Sequence, residues 1–286
     1  MQVGMCSGDY TPRTAEAMLA AIHASGSVCA QISLASITEC DFTPDRRVEI
    51  PERIPREAVK AIREAAERHG VRVISLNGTF NMAHPDRAVR LEGARRFEAL
   101  CAAAQELGAP FVSLCTGTRN EADLWTGHPA NGEPSAMDDL YATTELILRH
   151  AERFGVTMGI ETEANNLIDS ADKARTYMDK FASPRLKMIL DAANLFHAGD
   201  AHRDNVRPVL DHAFELVGRD VVMTHAKDIR EGDGIRFCAT GEGIIDFPYF
   251  VKLLRDVNYP GDMLIHGVYD EAKMPGRVEY LRGIVG

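Results

Sequence analysis

Eight times along these 286 residues a short apolar run is followed by a longer helical pattern, and this repeat narrows the fold more than anything else in the chain. The runs lie at residues 2–6, 28–34, 71–76, 111–115, 157–162, 186–190, 221–225 and 263–266. Most are almost continuously apolar, as expected of parallel strands covered on both faces. Between them, residues 55–69 put Ala58, Ile62, Ala65 and Ala66 on one side of a helix, with Arg63, Glu64, Glu67 and Arg68 on the other. Residues 87–107 and 143–154 are patterned in the same way. Gly70, Gly108 and Gly155 follow these helices where a left-handed cap is wanted. The segments ERHGVRVISL, QELGAPFVSL and ERFGVTMGIE therefore share one join: helix end, glycine, short strand.

An alternation repeated eight times predicts an α/β fold of the closed (β/α)₈ TIM-barrel kind rather than an open doubly wound sheet. An open sheet that binds a dinucleotide would place a glycine-rich turn after its first strand, and Cys6-Ser7-Gly8-Asp9 is not one. The length suits one barrel and no linker divides the chain, so residues 1–286 are expected to form a single domain. The longest stretch without a helical pattern, residues 116–135, contains Trp125, His128, Pro129, Asn131, Gly132 and Pro134. A loop of that length in a compact domain is expected to serve function.

Apolar residues form 45% of the chain, enough to fill so large a core. The formal net charge of −10 argues against nucleic acid or an anionic membrane surface as a partner. A small phosphorylated ligand stays open, since one arginine and a few backbone N–H groups could hold it. Cys6, Cys29, Cys40, Cys101, Cys115 and Cys238 form no C-x-x-C pair and read as unpaired thiols in a reducing compartment. The chain opens with no basic segment leading into an apolar one, and no run is long enough to span a bilayer. The expected location is cytoplasmic.

Four polar residues fall at the ends of four successive strands: Glu161, Asp191, His225 and His266. In a barrel those ends share the face on which active sites are built. Two carboxylates and two imidazoles converging there suit one divalent ion, Mn²⁺ foremost, with Co²⁺, Zn²⁺ or Mg²⁺ as alternatives. Taken singly, each has a plainer reading: a histidine packed at a strand end, or Asp191 as the cap of the turn that follows it. Burial at the mouth of an apolar barrel makes four such residues together hard to assign to capping. Alternation along the strand turns Glu163 to the same side as Glu161, and Lys227 to the same side as His225. Lys227 could orient a substrate oxygen, or pair with Asp228. Asn77, His84, Arg119, Trp125, His128 and Asn194 are candidate substrate contacts, Trp125 as a surface on which a sugar could stack. Gly241 and Gly243 in TGEGIIDF could form a backbone anion nest.

Read with Glu161 in IETEANN, Asp191 and Asn194 in LDAANLF, His225 in THAKD and the tail GEGIIDFPYFVKLLRDVNYPGDMLIH, the chain resembles the xylose-isomerase-like barrel superfamily of sugar isomerases and epimerases. The resemblance covers nearly all of it. It implies a metal held by Glu, Asp, His and a second Glu at the end of strand eight, the two glutamates serving as acid and base. Here His266 stands at that last position. The endonuclease IV branch of the superfamily would require further histidines at the ends of strands three and four, where this chain has Asn77 and Cys115.

The resulting expectation is a divalent-metal-dependent isomerase or epimerase of a small sugar, keto-sugar or inosose, able to form homo-oligomers. Glu161 would remove a proton from carbon and His266 or Glu163 would return it through a metal-stabilised enediolate. A lyase, dehydratase or hydratase with the same site is the alternative. A non-catalytic sugar-binding barrel and an endonuclease IV-like enzyme rank below both.

Overall fold

A computed structural model describes residues 1–40 and 48–286. Eight parallel strands close on themselves: β1 (Val3–Cys6), β2 (Cys29–Ile32), β3 (Arg72–Asn77), β4 (Phe111–Leu114), β5 (Thr157–Glu161), β6 (Leu186–Asp191), β7 (Val221–Ala226) and β8 (Met263–Ile265). Each pairs with its neighbour in the chain, and β8 returns to β1 with Val3 opposite Met263. The helices that follow them are α1 (Ala15–Ala24), α2 (Arg56–His69), α3 (Arg87–Leu107), α4 (Pro134–Phe154), α5 (Ala171–Phe181), α6 (Val206–Val217), α7 (Phe247–Asp256) and α8 (Met274–Val285). The barrel expected from the alternation is therefore the barrel observed. Gly70, Gly108 and Gly155 cap α2, α3 and α4 at positive φ.

Two boundaries differ from expectation. Helix α4 starts at Pro134 rather than at residue 143, because proline's fixed φ suits a first helical turn. Its first half buries Ala136 and Leu140. A short antiparallel pair, Asp228–Ile229 with Phe237–Cys238, rises after β7, and no local pattern announces so brief a hairpin.

Alternation sorts the strand residues. Ile160, Met188 and Leu190 join the large core shared with the helices, whereas Ile189, Met223 and Leu264 form a separate cluster with Cys6, Cys29 and Ile74. This second cluster is the barrel lumen. Two residues further along the same strands come Asp191, His225 and His266, so the lumen is the apolar floor beneath the polar mouth. Gly159 holds the equivalent place under Glu161, where a Cβ would lie 2.4 Å from Ile189 Cγ1. The absent side chain is what lets Ile189 fill the lumen.

Gly159→Ala is accordingly expected to destabilise the fold by about 1–3 kcal/mol, the usual cost of overpacking. Urea denaturation would measure this, and an unchanged midpoint would show that the lumen has slack.

Candidate active site

Three adjacent strand ends bring two carboxylates and an imidazole to one point. Asp191 and His225 are register partners on β6 and β7, so their side chains project side by side. Glu161 ends β5, one strand further round. One ligand atom from each of the three lies within 4.8 Å of the others. All are buried, Asp191 at 0% exposure and His225 at 1%.

Their contacts fix the arrangement. Glu161 Oε1 accepts a hydrogen bond from Asn194 Nδ2 at 2.8 Å and lies 3.1 Å from His225 Nδ1. His225 Nε2 is 3.3 Å from Gln31 Oε1. Asp191 Oδ1 accepts the Ala193 N–H at 2.9 Å, so the capping reading of this residue holds for one of its two oxygens. Asp191 Oδ2 is buried with no hydrogen-bond partner among the described residues, and the Lys227 ammonium stands 3.8 Å from it. Asn194 Oδ1 is likewise without a partner. Leaving a buried oxygen unsatisfied costs roughly 1–3 kcal/mol. The two carboxylates, the imidazole and the Asn194 amide oxygen form a donor set that a divalent cation would complete.

The charges are strongly coupled. Burial pushes the Glu161 carboxyl up, but the His225 ring against it, with Lys227 and His266 beyond, outweighs this and holds it well below the usual carboxylate range. Glu163 goes the other way: burial raises it, and Glu161 adds to the rise. Burial also disfavours the Lys227 ammonium, yet Asp191, Glu161 and Glu163 together keep it raised.

His266 lies just past β8 and outside the three-residue cluster. Its Nδ1 is 3.0 Å from Asp9 Oδ1, while Asp9 Oδ2 accepts the Val268 N–H at 2.9 Å. Burial would lower this imidazole, but the Asp9 carboxylate lifts it to about 9. The expected fourth ligand thus stands beside the cluster, its ring centroid 5.5 Å from that of His225, with Nδ1 engaged by Asp9.

A cavity of about 450 Å³ opens above these groups, with Glu161, Glu163, Asn194, Lys227 and His266 inside it and Trp125 at its rim. The other candidate substrate contacts do not line it. Asn77 turns its Oδ1 back to the Thr79 N–H, and His84 accepts the Asp86 N–H while facing the Glu121 carbonyl. Arg119 is paired with Asp139 at 2.7 Å, and His128 caps the turn Pro129–Gly132. Each of these side chains is engaged with polar groups of the surrounding strand ends, loops or helix α4. Lys227 pairs with Asp191, not Asp228. Asp228 instead fills the nest of TGEGIIDF, accepting the Gly241, Gly243 and Ile245 N–H groups, so that nest is closed to an external anion. Sequence reasoning passed over Asp9, Gln31, Phe237 and Tyr269. The first two carried a signal, a polar residue at a strand end and another within the apolar run VCAQISL. Phe237 and Tyr269 carried none.

A family model described as xylose isomerase-like TIM barrel matches residues 32–283. The L-ribulose-5-phosphate 3-epimerase UlaE of Escherichia coli O1:K1 / APEC is 26% identical over 226 residues, covering 77% of this chain and 73% of that one. A solved D-tagatose 3-epimerase-like protein superposes with a TM-score of 0.74 at 18% identity, covering 100% of this chain and 98% of its own. The IOLI protein with a bound zinc atom gives 0.71 at 15% identity, covering 100% and 98%. Among the described residues no helix is long and apolar enough to cross a membrane.

The Asp9–His266 pair has a pH signature. Its folded imidazole keeps its proton to about 9, whereas an unfolded histidine loses it near about 6.5. The stabilisation is therefore complete below about 6.5 and is lost as pH rises through about 9. In chelator-treated protein, the Tm gap between wild type and Asp9→Asn should be widest near about pH 6 and shrink towards about pH 9.5. A gap that stays constant over that span would mean that Asp9 does not hold the charge on His266.

Proposed function

The chain belongs to the xylose isomerase-like TIM barrel family, and from that premise we propose that it is a divalent-metal-dependent isomerase or epimerase of a small ketose. The observation that carries this reading is the buried Glu161, Asp191 and His225 cluster with its unsatisfied Asp191 oxygen, whose Glu161 lines a cavity of sugar-accommodating size. The relative named as an L-ribulose-5-phosphate 3-epimerase supports a ketose as the substrate class.

Glu161, Asp191 and His225 hold the metal in this reading. A bound divalent ion supplies Lewis-acid polarisation of the substrate carbonyl and an adjacent hydroxyl, which makes the neighbouring C–H acidic. Asn194 orients Glu161 through its 2.8 Å hydrogen bond. Lys227 donates to a substrate oxygen. Glu161 was expected to be the base, but its lowered basicity favours a ligand role. Glu163, raised by burial and lining the same cavity, is better matched to take a proton near neutral pH. His266 carries its proton three strands away round the barrel. Removal at one wall and return from another is what inversion at carbon requires.

A second reading is favoured by the same imidazolium. An acid at His266 could protonate a leaving hydroxyl and turn the site to dehydration. Incubation in D₂O with D-fructose, D-tagatose and L-ribulose 5-phosphate separates the two. Deuterium at carbon in a product of unchanged composition supports isomerisation or epimerisation. Loss of water supports the lyase reading, and neither change with any ketose removes both.

Two expectations follow for the protein itself. Reconstituted chains should hold about one divalent ion each, and Asp191→Asn should lower that affinity at least tenfold by a competitive chelator assay, on the order of a lost ligand contact. Glu163→Gln should keep the metal and lose at least about 10²-fold in rate, the low end for a general base. Near-normal turnover in Glu163→Gln would return the proton-abstracting role to Glu161.

A further inference from the structure

Among the described residues, five large apolar side chains are exposed, and three of them, Trp125 at 49%, Phe237 at 38% and Tyr269 at 76%, line the cavity that Glu161 of the buried cluster also lines. They come from three different loops, after β4, in the hairpin after β7 and after β8. The loop of Trp125 is tied down, with Asn165 Nδ2 donating to its carbonyl at 2.9 Å. Phe237 stands over the Lys227 ammonium, 3.8 Å from nitrogen to ring centroid, so the aromatic rim begins where the charged floor ends. Exposed aromatic groups gathered at one mouth mark a binding surface rather than chance placement.

A hexose of twelve heavy atoms fills roughly 200 Å³ at interior packing density. The cavity offers about 450 Å³. We propose that its outer half, between Trp125, Phe237 and Tyr269, is a subsite for a second sugar ring, and that the substrate is a glycosylated ketose. A pyranose suits such a rim: its C–H faces stack on aromatic rings while its hydroxyl edges stay in the water of the open mouth. A bare aryl substituent would leave apolar surface wet there. The proposal rests on the ketose-isomerase reading of the floor, which it extends outward.

Trp125 is the single tryptophan of the chain, so its fluorescence reports this rim alone. Mn²⁺-loaded protein is titrated with D-fructose and with maltulose, the same ketose carrying a glucosyl ring. Maltulose should shift the Trp125 emission and bind about tenfold more tightly, on the order of 1.4 kcal/mol. Phe237→Ala and Tyr269→Ala, made singly, should shrink that preference to about twofold, as expected when a stacking contact is truncated. Equal affinity for the two sugars overturns the proposal. So does an emission that changes with protein concentration and not with sugar, which would make the rim a contact between copies of the chain. Deuterium exchange run in parallel keeps the two readings apart. Exchange in D-fructose with no maltulose preference ends the subsite and leaves the isomerase. Tight maltulose binding with exchange in neither sugar ends the isomerase and leaves the subsite.

Discussion

Two carboxylates buried at the mouth of an apolar barrel are the constraint that the rest of this site answers to. Glu161 and Asp191 stand on neighbouring strands with almost no access to water. Isolated, each would be protonated or would unfold the mouth. The surrounding side chains are arranged to prevent that. His225 and Asn194 meet Glu161, the Ala193 N–H takes one oxygen of Asp191, and Lys227 approaches the other. The remaining deficit is one unbonded carboxylate oxygen, on Asp191, and one unbonded amide oxygen, on Asn194.

The backbone makes this possible by separating the two tasks of each strand. Residues that face outward on β5 to β8 belong to the core under the helices, and those that face inward build first the lumen and then the site. Ile189 lies below Asp191 and Met223 below His225, so any shift of the lumen is passed directly to the cluster. The small residue at Gly159 and the close approach of Gly267 to the Lys227 stem, where a Cβ would lie 2.9 Å from Cγ, keep both levels in register. Gly267 also takes a positive φ, which a side chain would resist.

His266 carries the chain's departure from the pattern it resembles. A glutamate at that strand end would add a third negative charge to the cluster. Histidine does the opposite once Asp9 fixes Nδ1, because it adds a positive charge beside the carboxylates and keeps its proton through the neutral range. Asp9 comes from the end of β1, next to β8 in the closed ring. The Asp9–His266 pair therefore depends on barrel closure, which joins the two ends of the chain.

The barrel was legible along the chain, because strand–helix periodicity and glycine caps are local signals that repeat with each strand and helix. Glu161, Asp191, His225 and His266 were legible as a convergent set, because a charged or ionisable group ending a buried strand has to be paired or to hold a metal, and the first three do meet at one point. Which neighbours complete them depends on contacts that form when the barrel closes. That Asp9 meets His266, that Lys227 turns to Asp191 and that Asp228 fills its own glycine nest are contacts between groups 257, 36 and 13 to 17 positions apart. The loop residues were the least legible. Arg119, His84 and His128 look like ligand contacts in one dimension, yet they are engaged by polar groups of helix α4 and of the loops around them, while Phe237 and Tyr269 looked like nothing and reached the cavity. A strand's period fixes where its side chains point, but a loop side chain goes wherever an unsatisfied backbone group or an open ring face is nearest, and that is known only once the chain has closed.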